Sequence, residues 1–285
     1  MPTDSFPIVF LNGAPVNADE ARVSIFDRGF LYGDGLFETI RIQQGRPFRW
    51  DRHFMRLTGG LRLLNLRLAP GEAELRDDAD KLIAANRCTE AVLRLTISRG
   101  TGRRGLSTQG AGTPTVAMSL HPPPDRTKAA GLRLVTSPCR ILANDPLAAI
   151  KSANKLVYVL ARQAADALGA DDALILNHRE EIAETTSSNL FWKRGDALFT
   201  AAPEVGILPG VARSIVLELA PELGFQTHQV AAGAAELLEA EGVFTTNVVR
   251  GVVEVVEIDG RGVKRTEFCN VMARAFEELV KAELD

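Results

Sequence analysis

A lysine and a glutamate in two neighbouring segments carry the clearest chemistry in this chain. Lys151 lies in IKSANKL, where extended chain is predicted to give way to a helix, and Glu184 lies on a predicted strand in EIAETTSSNLFW. A lysine amine can form an imine with an aldehyde, and a carboxylate can keep a pyridine nitrogen protonated so that the ring withdraws electrons. Pyridoxal phosphate (PLP) is the cofactor that needs both groups. The pair therefore predicts a PLP site.

The residues alone leave plainer interpretations open. Lys155 is a rival to Lys151 on spacing, and most lysines beside a helix start are simply solvated. Glu180 and Glu181 lie close to Glu184, so a solvated turn glutamate is also an ordinary reading of that position. From these segments in isolation, the choice between the two lysines is not decided.

Composition narrows the class of protein. A chain of 285 residues with 46% hydrophobic content can fill two ordinary cores, so two domains are expected. The 33 basic and 36 acidic residues give a net charge of −3, which argues against a nucleic-acid partner. The first residues, MPTDSFPIVFLNG, resemble no signal peptide, and no apolar run approaches the roughly 20 residues that span a bilayer, so a soluble cytoplasmic protein without a membrane partner is expected. Cys88, Cys139 and Cys269 are odd in number and widely spaced, which argues against a disulfide framework or a metal site.

Patterns in residues 1–124 predict a small α+β domain. Residues 8 to 50 are predicted to be strands, with one hairpin turn at Asn12-Gly13 and a second between 36–42 and 46–50. Asp51 is predicted to cap a helix, and Pro70 with Gly71 to open another that runs to Ala85. Strands at 91–97 and 115–120 follow, with a glycine-rich and basic loop between them at 100–112.

Three consecutive prolines, Pro122 to Pro124, predict a domain boundary, which places a second domain at residues 125–285. Its predicted strands are 132–137, 173–176, 190–193, 197–200 and 243–246. Its predicted helices run from about 154 to 168, from 210 to 223, and from 267 to the chain end.

Several motifs in a fixed order resemble the fold-type IV PLP enzymes, which include D-amino-acid transaminase, branched-chain aminotransferase and aminodeoxychorismate lyase. They are DRGFLYGDGLFETIR (27–41), HFMRL (53–57), SRGTGRRGLS (98–107), the Lys151 and Glu184 stretches, ILPGVAR (207–213) and FTTNVV (244–249). The resemblance implies an α/β (α+β) fold with a small N-terminal domain and a larger C-terminal cofactor-binding domain of pseudobarrel character. It also implies a cofactor in the cleft between the domains, and a homodimer.

The resemblance also assigns roles near the cofactor ring. The family lysine lies in a K-x-x-N pattern, which Lys151 and Asn154 satisfy and Lys155 does not. Lys151 would then be both the anchor and the acid/base group of the reaction. Glu184 matches the family glutamate that faces the pyridine nitrogen, in an E-x-x-x-x-N register that ends at Asn189.

Further residues resemble those that hold the cofactor phosphate. Arg56, in HxxRL, resembles the family arginine that clamps it. Val211 and Ala212 lie at a predicted helix start, where N–H groups can bind an anion. Asn247 and Val248 lie in a second phosphate loop, although some relatives have threonine at the position of Val248, so any contact from it must come from the backbone.

Two residues are candidates for substrate binding. Phe37 either flanks the substrate or packs in the core. Arg104 aligns with an arginine that reaches the substrate carboxylate from the partner subunit in D-amino-acid transaminases, but Leu106 replaces the histidine expected beside it. Paired arginines in a glycine-rich loop can also be a solvated turn.

The sequence thus predicts a PLP-dependent transaminase that acts on an amino acid and a 2-oxo acid. Glu38 after Phe37 resembles the transaminase branch. One alternative is aminodeoxychorismate lyase, which forms 4-aminobenzoate and pyruvate, because TTNVVRGVV and SRGTGRRG look as much like that branch. A second alternative is a non-catalytic metabolite-binding protein of the same fold.

Overall fold

The computed structural model describes residues 6–124 and 131–284. The chain divides into two compact units. The first unit comprises Met1–Pro124, Ile150–Asn154 and Glu283–Asp285, and the second comprises Asp125–Ala149 and Lys155–Ala282. The boundary predicted after residue 124 adjoins residues 125–130, which lie outside the described residues, and it stays a prediction. Among the described residues, no helix combines the length and apolar character needed to cross a membrane.

A six-stranded sheet with the order β2-β1-β6-β5-β3-β4 forms the frame of the first unit. Its strands are β1 (Ile8–Leu11), β2 (Ala14–Asn17), β3 (Gly35–Gln43), β4 (Arg46–Pro47), β5 (Ala91–Ser98) and β6 (Thr115–His121). The helices are α1 (Arg28–Tyr32), α2 (Trp50–Leu63) and α3 (Glu72–Asn86). The Asn12-Gly13 turn is confirmed, because both residues have positive φ (54° and 79°), as a tight hairpin turn requires.

Strand alternation explains the core of this unit. Leu36, Ile40 and Ile42 from β3 are buried together with Leu93 and Leu95 from β5. Leu57 and Leu61 from α2 join the same cluster, as do Leu75 and Leu82 from α3. Period-two apolar residues on the strands therefore meet helical stripes on one face of the sheet.

Two local predictions in this unit are wrong, and a third, the hairpin of β3 with β4, is confirmed only in part. The stretch predicted as strands contains the short helix α1, whose start is capped by Asp27 accepting from the Gly29 N–H at 2.7 Å. Helix α2 starts at Trp50 rather than after Asp51, with Arg49 at the cap in a left-handed conformation (φ 52°). The main partner of β3 is β5 along its whole length, whereas the predicted hairpin partner β4 pairs only at Ile42 and Gln43.

The second unit is built on a closed ring of strands, which confirms the pseudobarrel. The strands β10, β13, β14, β7, β8 and β9 pair in that order, and β9 returns to β10. They are β7 (Leu132–Ile141), β8 (Asp172–Asn177), β9 (Ile182–Thr185), β10 (Asn189–Arg194), β13 (Gly242–Asn247) and β14 (Gly251–Ile258). Outside the ring are β11 (Ala197–Ala201), β12 (Gln226–Val230) and β15 (Arg261–Gly262).

The helices of this unit are α4 (Leu156–Ala167), a 3₁₀ turn (Pro203–Val205), α5 (Val211–Glu222), α6 (Ala235–Glu239) and α7 (Glu267–Leu284). The predicted starts of α5 and α7 are confirmed. Helix α4 begins at Leu156, two residues later than predicted, because Asn154 belongs to a segment that pairs elsewhere. The apolar runs of β8 and β10 are almost entirely buried, as a strand covered on both faces requires.

Candidate active site

The segment that carries Lys151 is fixed by backbone hydrogen bonds to β3. The Phe37 N–H donates to the Lys151 carbonyl at 2.9 Å, and the Ala153 N–H donates to the Gly35 carbonyl at 2.9 Å. Leu36 and Ser152 form the bridge between these bonds. The predicted change from extended chain to helix is present, because Lys151 lies on a short extended segment added to β3 and α4 starts at Leu156. This segment is separate from β7, which ends at Ile141.

The Lys151 amine and a second cation share one aromatic ring. The Nζ atom of Lys151 is 4.8 Å from the centroid of the Phe37 ring, and the Cζ atom of Arg94 is 4.0 Å from it. Phe37 is only 9% exposed and its ring is in contact with both, so the structure brings Phe37 and Lys151 together. No carboxylate pairs with Arg94 within the part of the chain that the structure describes.

Sequence reasoning missed Arg94 as a site residue. It assigned Arg94 to the polar face of β5, but the pairing of β3 with β5 came only from the structure. Arg94 lies directly opposite Thr39, and Phe37 opposite Thr96, so both side chains belong to the same sheet face. No local signal marked Arg94, because an arginine on the polar face fits the alternation of β5.

Arg56 is held by a buried carboxylate on the other face of β3. Its Nε and Nη2 atoms donate to the two oxygens of Glu38 at 2.9 and 2.6 Å, and the Nδ1 atom of His53 lies 2.7 Å from Oε2 of Glu38. Glu38 and His53 are each 1% exposed. A bidentate arginine pair of this kind fixes the direction of the guanidinium as well as its position.

The charges in this cluster follow from its burial. Burial alone would raise the pKa of Glu38, but the His53 and Arg56 hydrogen bonds lower this pKa to about 2. Burial lowers the pKa of His53, and the positive charges of Arg56 and Lys151 lower it further, against the opposing effect of Glu38. His53 is therefore neutral and donates from Nδ1 to an ionised Glu38, while its buried Nε2 has no partner among the described residues.

Arg104 lies on an exposed loop. Residues 100–112 contain no helix and no strand apart from the bridge between Asp27 and Thr101. Arg103 and Arg104 are exposed, and Leu106 is 82% exposed. The loop prediction is confirmed, whereas the role of Arg104 stays a prediction.

In the second unit, Glu184 begins a row of polar side chains across three strands. Glu184 on β9 is directly opposite Asn189 on β10, and Asn189 is directly opposite Thr246 on β13, so all three face the same side. Glu184 is 5% exposed, which rules out a solvated turn glutamate. The hydroxyl of Thr246 is buried and has no hydrogen-bond partner within residues 6–124 and 131–284.

Three donors orient the Glu184 carboxylate. Asn189 Nδ2 and the Leu208 N–H donate to Oε2, each at 3.2 Å, and the Tyr158 hydroxyl donates to Oε1 at 2.9 Å. Burial, followed by the charge and hydrogen bond of Glu184, raises the pKa of Tyr158, so the hydroxyl keeps its proton and donates. No local pattern indicated Tyr158, which reaches β9 from α4. Lys155, the rival lysine, contacts the Tyr158 ring at 4.5 Å from its centroid.

Helix α5 starts beside this row. Gly210 at the N-cap supplies no side-chain hydrogen bond to its first turn, where Val211 and Ala212 are buried. The first N–H groups of a helix have no partner within the helix and favour an anion. A Cβ atom at Gly210 would lie 2.1 Å from Oδ1 of Asn189, so glycine is required for the helix start to approach Asn189.

The loop after β13 is shaped by Asn247. Its Oδ1 accepts from the N–H groups of Val249 at 3.0 Å and Arg250 at 2.8 Å, and its Nδ2 donates to the Ser188 hydroxyl at 2.8 Å. The Asn247 side chain is thus engaged in the turn itself, and Val248 offers an apolar side chain. Any anion contact from these two residues must come from the backbone.

The chain resembles known proteins over most of its length. Residues 35–258 match the family described as Amino-transferase class IV. A putative branched-chain-amino-acid aminotransferase of Methanocaldococcus jannaschii is 35% identical over 74% of each chain. An aminodeoxychorismate lyase of Bacillus subtilis is 31% identical over 75% of this chain and 73% of its own.

Solved structures show the same likeness in three dimensions. A branched-chain aminotransferase of Thermoproteus uzoniensis, solved with norvaline, superposes with a TM-score of 0.91 at 26% identity, covering 97% of this chain and 95% of the other. The match over residues 35–258 and the 35% identical relative show that this chain belongs to the class IV aminotransferase family.

Proposed function

We propose that this protein is a PLP-dependent transaminase that moves an amino group between an amino acid and a 2-oxo acid. The class IV family is PLP-dependent, and the relative from Methanocaldococcus jannaschii is named as an aminotransferase. The observation that carries the proposal is the Phe37 ring, which contacts both the Lys151 amine and the Arg94 guanidinium. An amine that can transfer protons and a cation that can bind a carboxylate are what an amino-acid substrate requires.

The residues present fit PLP. The chain offers a lysine amine, a buried carboxylate at Glu184, an uncapped helix start at α5 and, within its described part, an unpartnered buried hydroxyl on Thr246. When bound, PLP supplies an electrophilic carbonyl carbon and a ring that withdraws electrons from the substrate. Every other contribution comes from the side chains and backbone of the chain.

Lys151 is assigned as the anchor and the proton carrier. The hydrogen bonds of its segment to β3 hold the Lys151 backbone in place, so the amine moves only through rotation of the side chain. From that position it can move a proton to and from the substrate α-carbon. Lys155 contacts a tyrosine instead and directly precedes α4, which favours a structural role for it.

Glu184 is assigned to the ring nitrogen. Its three donors leave it little freedom to rotate, and an ionised carboxylate in this orientation keeps a nearby pyridine nitrogen protonated. Asn189 donates to Glu184 and, at 2.9 Å, to the Leu208 carbonyl. It is therefore assigned as a positioning residue for Glu184.

The phosphate is assigned to Arg56, to the N–H groups of Val211 and Ala212, and to the backbone of Asn247 and Val248. Glu38 holds the Arg56 fork in place, and the α5 start carries the positive end of a helix dipole. A fixed guanidinium and fixed N–H groups suit a dianion because they need no reorganisation on binding.

The substrate carboxylate is assigned first to Arg94, since this cation lies on the same ring as Lys151. Arg104 would supply a second cationic contact from its loop. This arrangement would let one carboxylate be bound close to the reacting carbon, while Phe37 presents a flat apolar surface to the substrate.

Aminodeoxychorismate lyase is the second candidate, because one relative with that name is 31% identical. One assay separates the transaminase from this lyase. With aminodeoxychorismate and no amino acceptor, release of pyruvate would support the lyase. With an amino acid as donor, sustained formation of its 2-oxo acid only when a second 2-oxo acid is present as acceptor would support the transaminase. A panel of L- and D-amino acids and R-amines as donors would then define the substrate.

We also infer that the protein is a homodimer. In the first unit, Ile25, Phe26 and Phe30 are 66%, 62% and 73% exposed, and three large apolar side chains so close in sequence are unusual on a free surface. Light scattering after size exclusion should give twice the 30.9 kDa chain mass. A single chain mass across the micromolar range would contradict the inference.

A further inference from the structure

A buried arginine forms hydrogen bonds to the loop that carries Arg103 and Arg104. Arg28, the first residue of α1, is 3% exposed. Its Nη1 atom donates to the carbonyls of Gly105 at 2.9 Å and Ser107 at 3.1 Å, and its Nη2 atom donates to the carbonyl of Leu106 at 3.2 Å. One guanidinium thus binds three consecutive backbone carbonyls.

The other side of Arg28 is anchored to the body of the first unit. Its Nε donates to Oδ2 of Asp34 at 2.8 Å, and Arg99 donates to the same oxygen at 2.8 Å. Arg99 also donates to the carbonyls of Leu64 at 2.7 Å and Asn65 at 3.2 Å, just beyond the end of α2. Arg28 is therefore a link between a rigid ion cluster and a loop without regular structure.

Tyr32 and Gly102 also contribute to the contact between Arg28 and the loop. The hydroxyl of Tyr32 accepts from the Gly105 N–H at 3.0 Å, and the Arg28 guanidinium lies 4.9 Å from the Tyr32 ring centroid. A Cβ atom at Gly102 would lie 2.9 Å from Cδ of Arg28, so the loop can lie against the arginine stem only with glycine there.

These contacts explain why the residue is arginine. A planar fork can bind an acid on one edge and several carbonyls on the other, whereas a lysine ammonium has one point of attachment. Residues 103–110 are otherwise exposed, and they include Gly105 and Gly110 at positive φ (108° and 70°). Without the Arg28 hydrogen bonds, this loop would have many accessible conformations.

We propose that Arg28 is a positioning residue that fixes the loop at 102–107, and through it sets the affinity for the substrate carboxylate. The loop part of this proposal stands on contacts within the first unit. The affinity part rests on the proposed function, in which Arg104 meets the substrate.

The test is the Arg28→Lys variant of the full-length protein, with PLP present throughout. Limited trypsin digestion, mapped by mass spectrometry, reports cleavage after Arg103 or Arg104. We expect cleavage about tenfold faster, since proteolysis follows the population of the open loop and the charged hydrogen bonds that close it are lost. We also expect KM for the 2-oxo acid to rise at least about fivefold, while kcat and PLP content change less than about twofold.

A matched control is Arg22→Lys. Arg22 also donates to backbone carbonyls, those of Asp19 and Ala21, but it lies on the surface. Neither cleavage at the loop nor KM should change in this variant.

Arg28→Lys cleaved at the wild-type rate would overturn the proposal. Faster cleavage with unchanged KM would overturn the link to substrate affinity. Should Arg28→Lys not fold, Tyr32→Phe replaces it, with cleavage expected to be about two- to threefold faster, and an unchanged rate would again overturn the proposal. A wild-type protein without transaminase activity would defeat the proposed function alone, because the digestion does not depend on turnover.

Discussion

Replacing Glu38 with glutamine removes the charge at the centre of the Arg56 cluster while keeping the shape of the side chain. Glutamine keeps one carbonyl oxygen, so a single acceptor remains for the His53 Nδ1–H and for the Arg56 side chain, which is 10% exposed, where the carboxylate offered two. Breaking a buried pair on one side leaves an uncompensated charge, which is the costly case. We therefore expect a large loss of folding free energy.

The magnitude follows from the pKa of Glu38. A fall of this pKa from 4.5 to about 2 on folding corresponds to roughly 3 kcal/mol of stability at neutral pH. Because the folded pKa is the lower one, this stability is present above pH 4.5 and is lost as the pH falls towards 2. At pH 3.5 the unfolded chain already binds the proton, and about 1.4 kcal/mol of the contribution should be gone.

The assay is urea unfolding of the cofactor-free protein, followed by circular dichroism, at pH 7 and at pH 3.5. Without ligand, binding does not add to the free energy of unfolding. The difference between wild type and Glu38→Gln should be about 2 to 4 kcal/mol at pH 7 and clearly smaller at pH 3.5. The control is Glu180→Gln, which breaks an Arg–Glu pair of the same bidentate geometry, with Arg140, on the surface. Its effect should be a small fraction of that of Glu38→Gln.

A difference below about 1 kcal/mol at pH 7 would contradict a buried charge pair at Glu38, because removing one partner of such a pair costs more than this. A difference of the same size at both pH values would contradict it as well. That result would mean that the glutamine variant loses packing, and that the charge of Glu38 contributes little.

Four further substitutions test the site. Lys151→Ala should abolish turnover and lose the phosphopyridoxyl tag that borohydride leaves on the wild-type peptide, while Lys155→Ala should keep most activity; the opposite pattern would transfer the anchor to Lys155. Tyr158→Phe removes one donor from the Glu184 carboxylate and should weaken PLP binding about tenfold in reconstitution titrations; unchanged affinity would show that Glu184 needs no such support. Arg94→Gln should raise KM for the amino acid about tenfold or more with a smaller effect on kcat, and an unchanged KM would leave Arg104 as the remaining candidate.

Local signals were enough for the elements whose causes are local. The Asn12-Gly13 hairpin, the alternation of β5 and the glycine before α5 were all readable because turn, pleat and cap depend on adjacent residues. The five-residue step from Glu184 to Asn189 came from the family resemblance, and the structure adds that the two residues lie opposite each other on β9 and β10.

The remaining features depend on pairs far apart in sequence. Nothing near Lys151 indicates that its segment adds to β3, and nothing near Tyr158 indicates a carboxylate on β9. Helix α1 is five residues long, too short to form without tertiary support, and it is held by Asp27, which also accepts from the hydroxyls of Ser98 and Thr115. Periodicity cannot report contacts of this kind.

The adjacent residues Phe37 and Glu38 show how one strand can serve two tasks. Successive side chains of a strand point to opposite faces, so Phe37 meets Lys151 and Arg94 while Glu38 turns towards α2 and holds Arg56 and His53. The same strand binds the backbone of Lys151. A shift of β3 by one residue would exchange the two faces, burying an aromatic ring against Arg56 and moving a carboxylate beside Lys151 and Arg94. The register of β3 against β5, which is continuous from Gly35 to Ile42, is therefore the feature of the first unit on which both the proposed anchor, Lys151, and the proposed phosphate ligand, Arg56, depend.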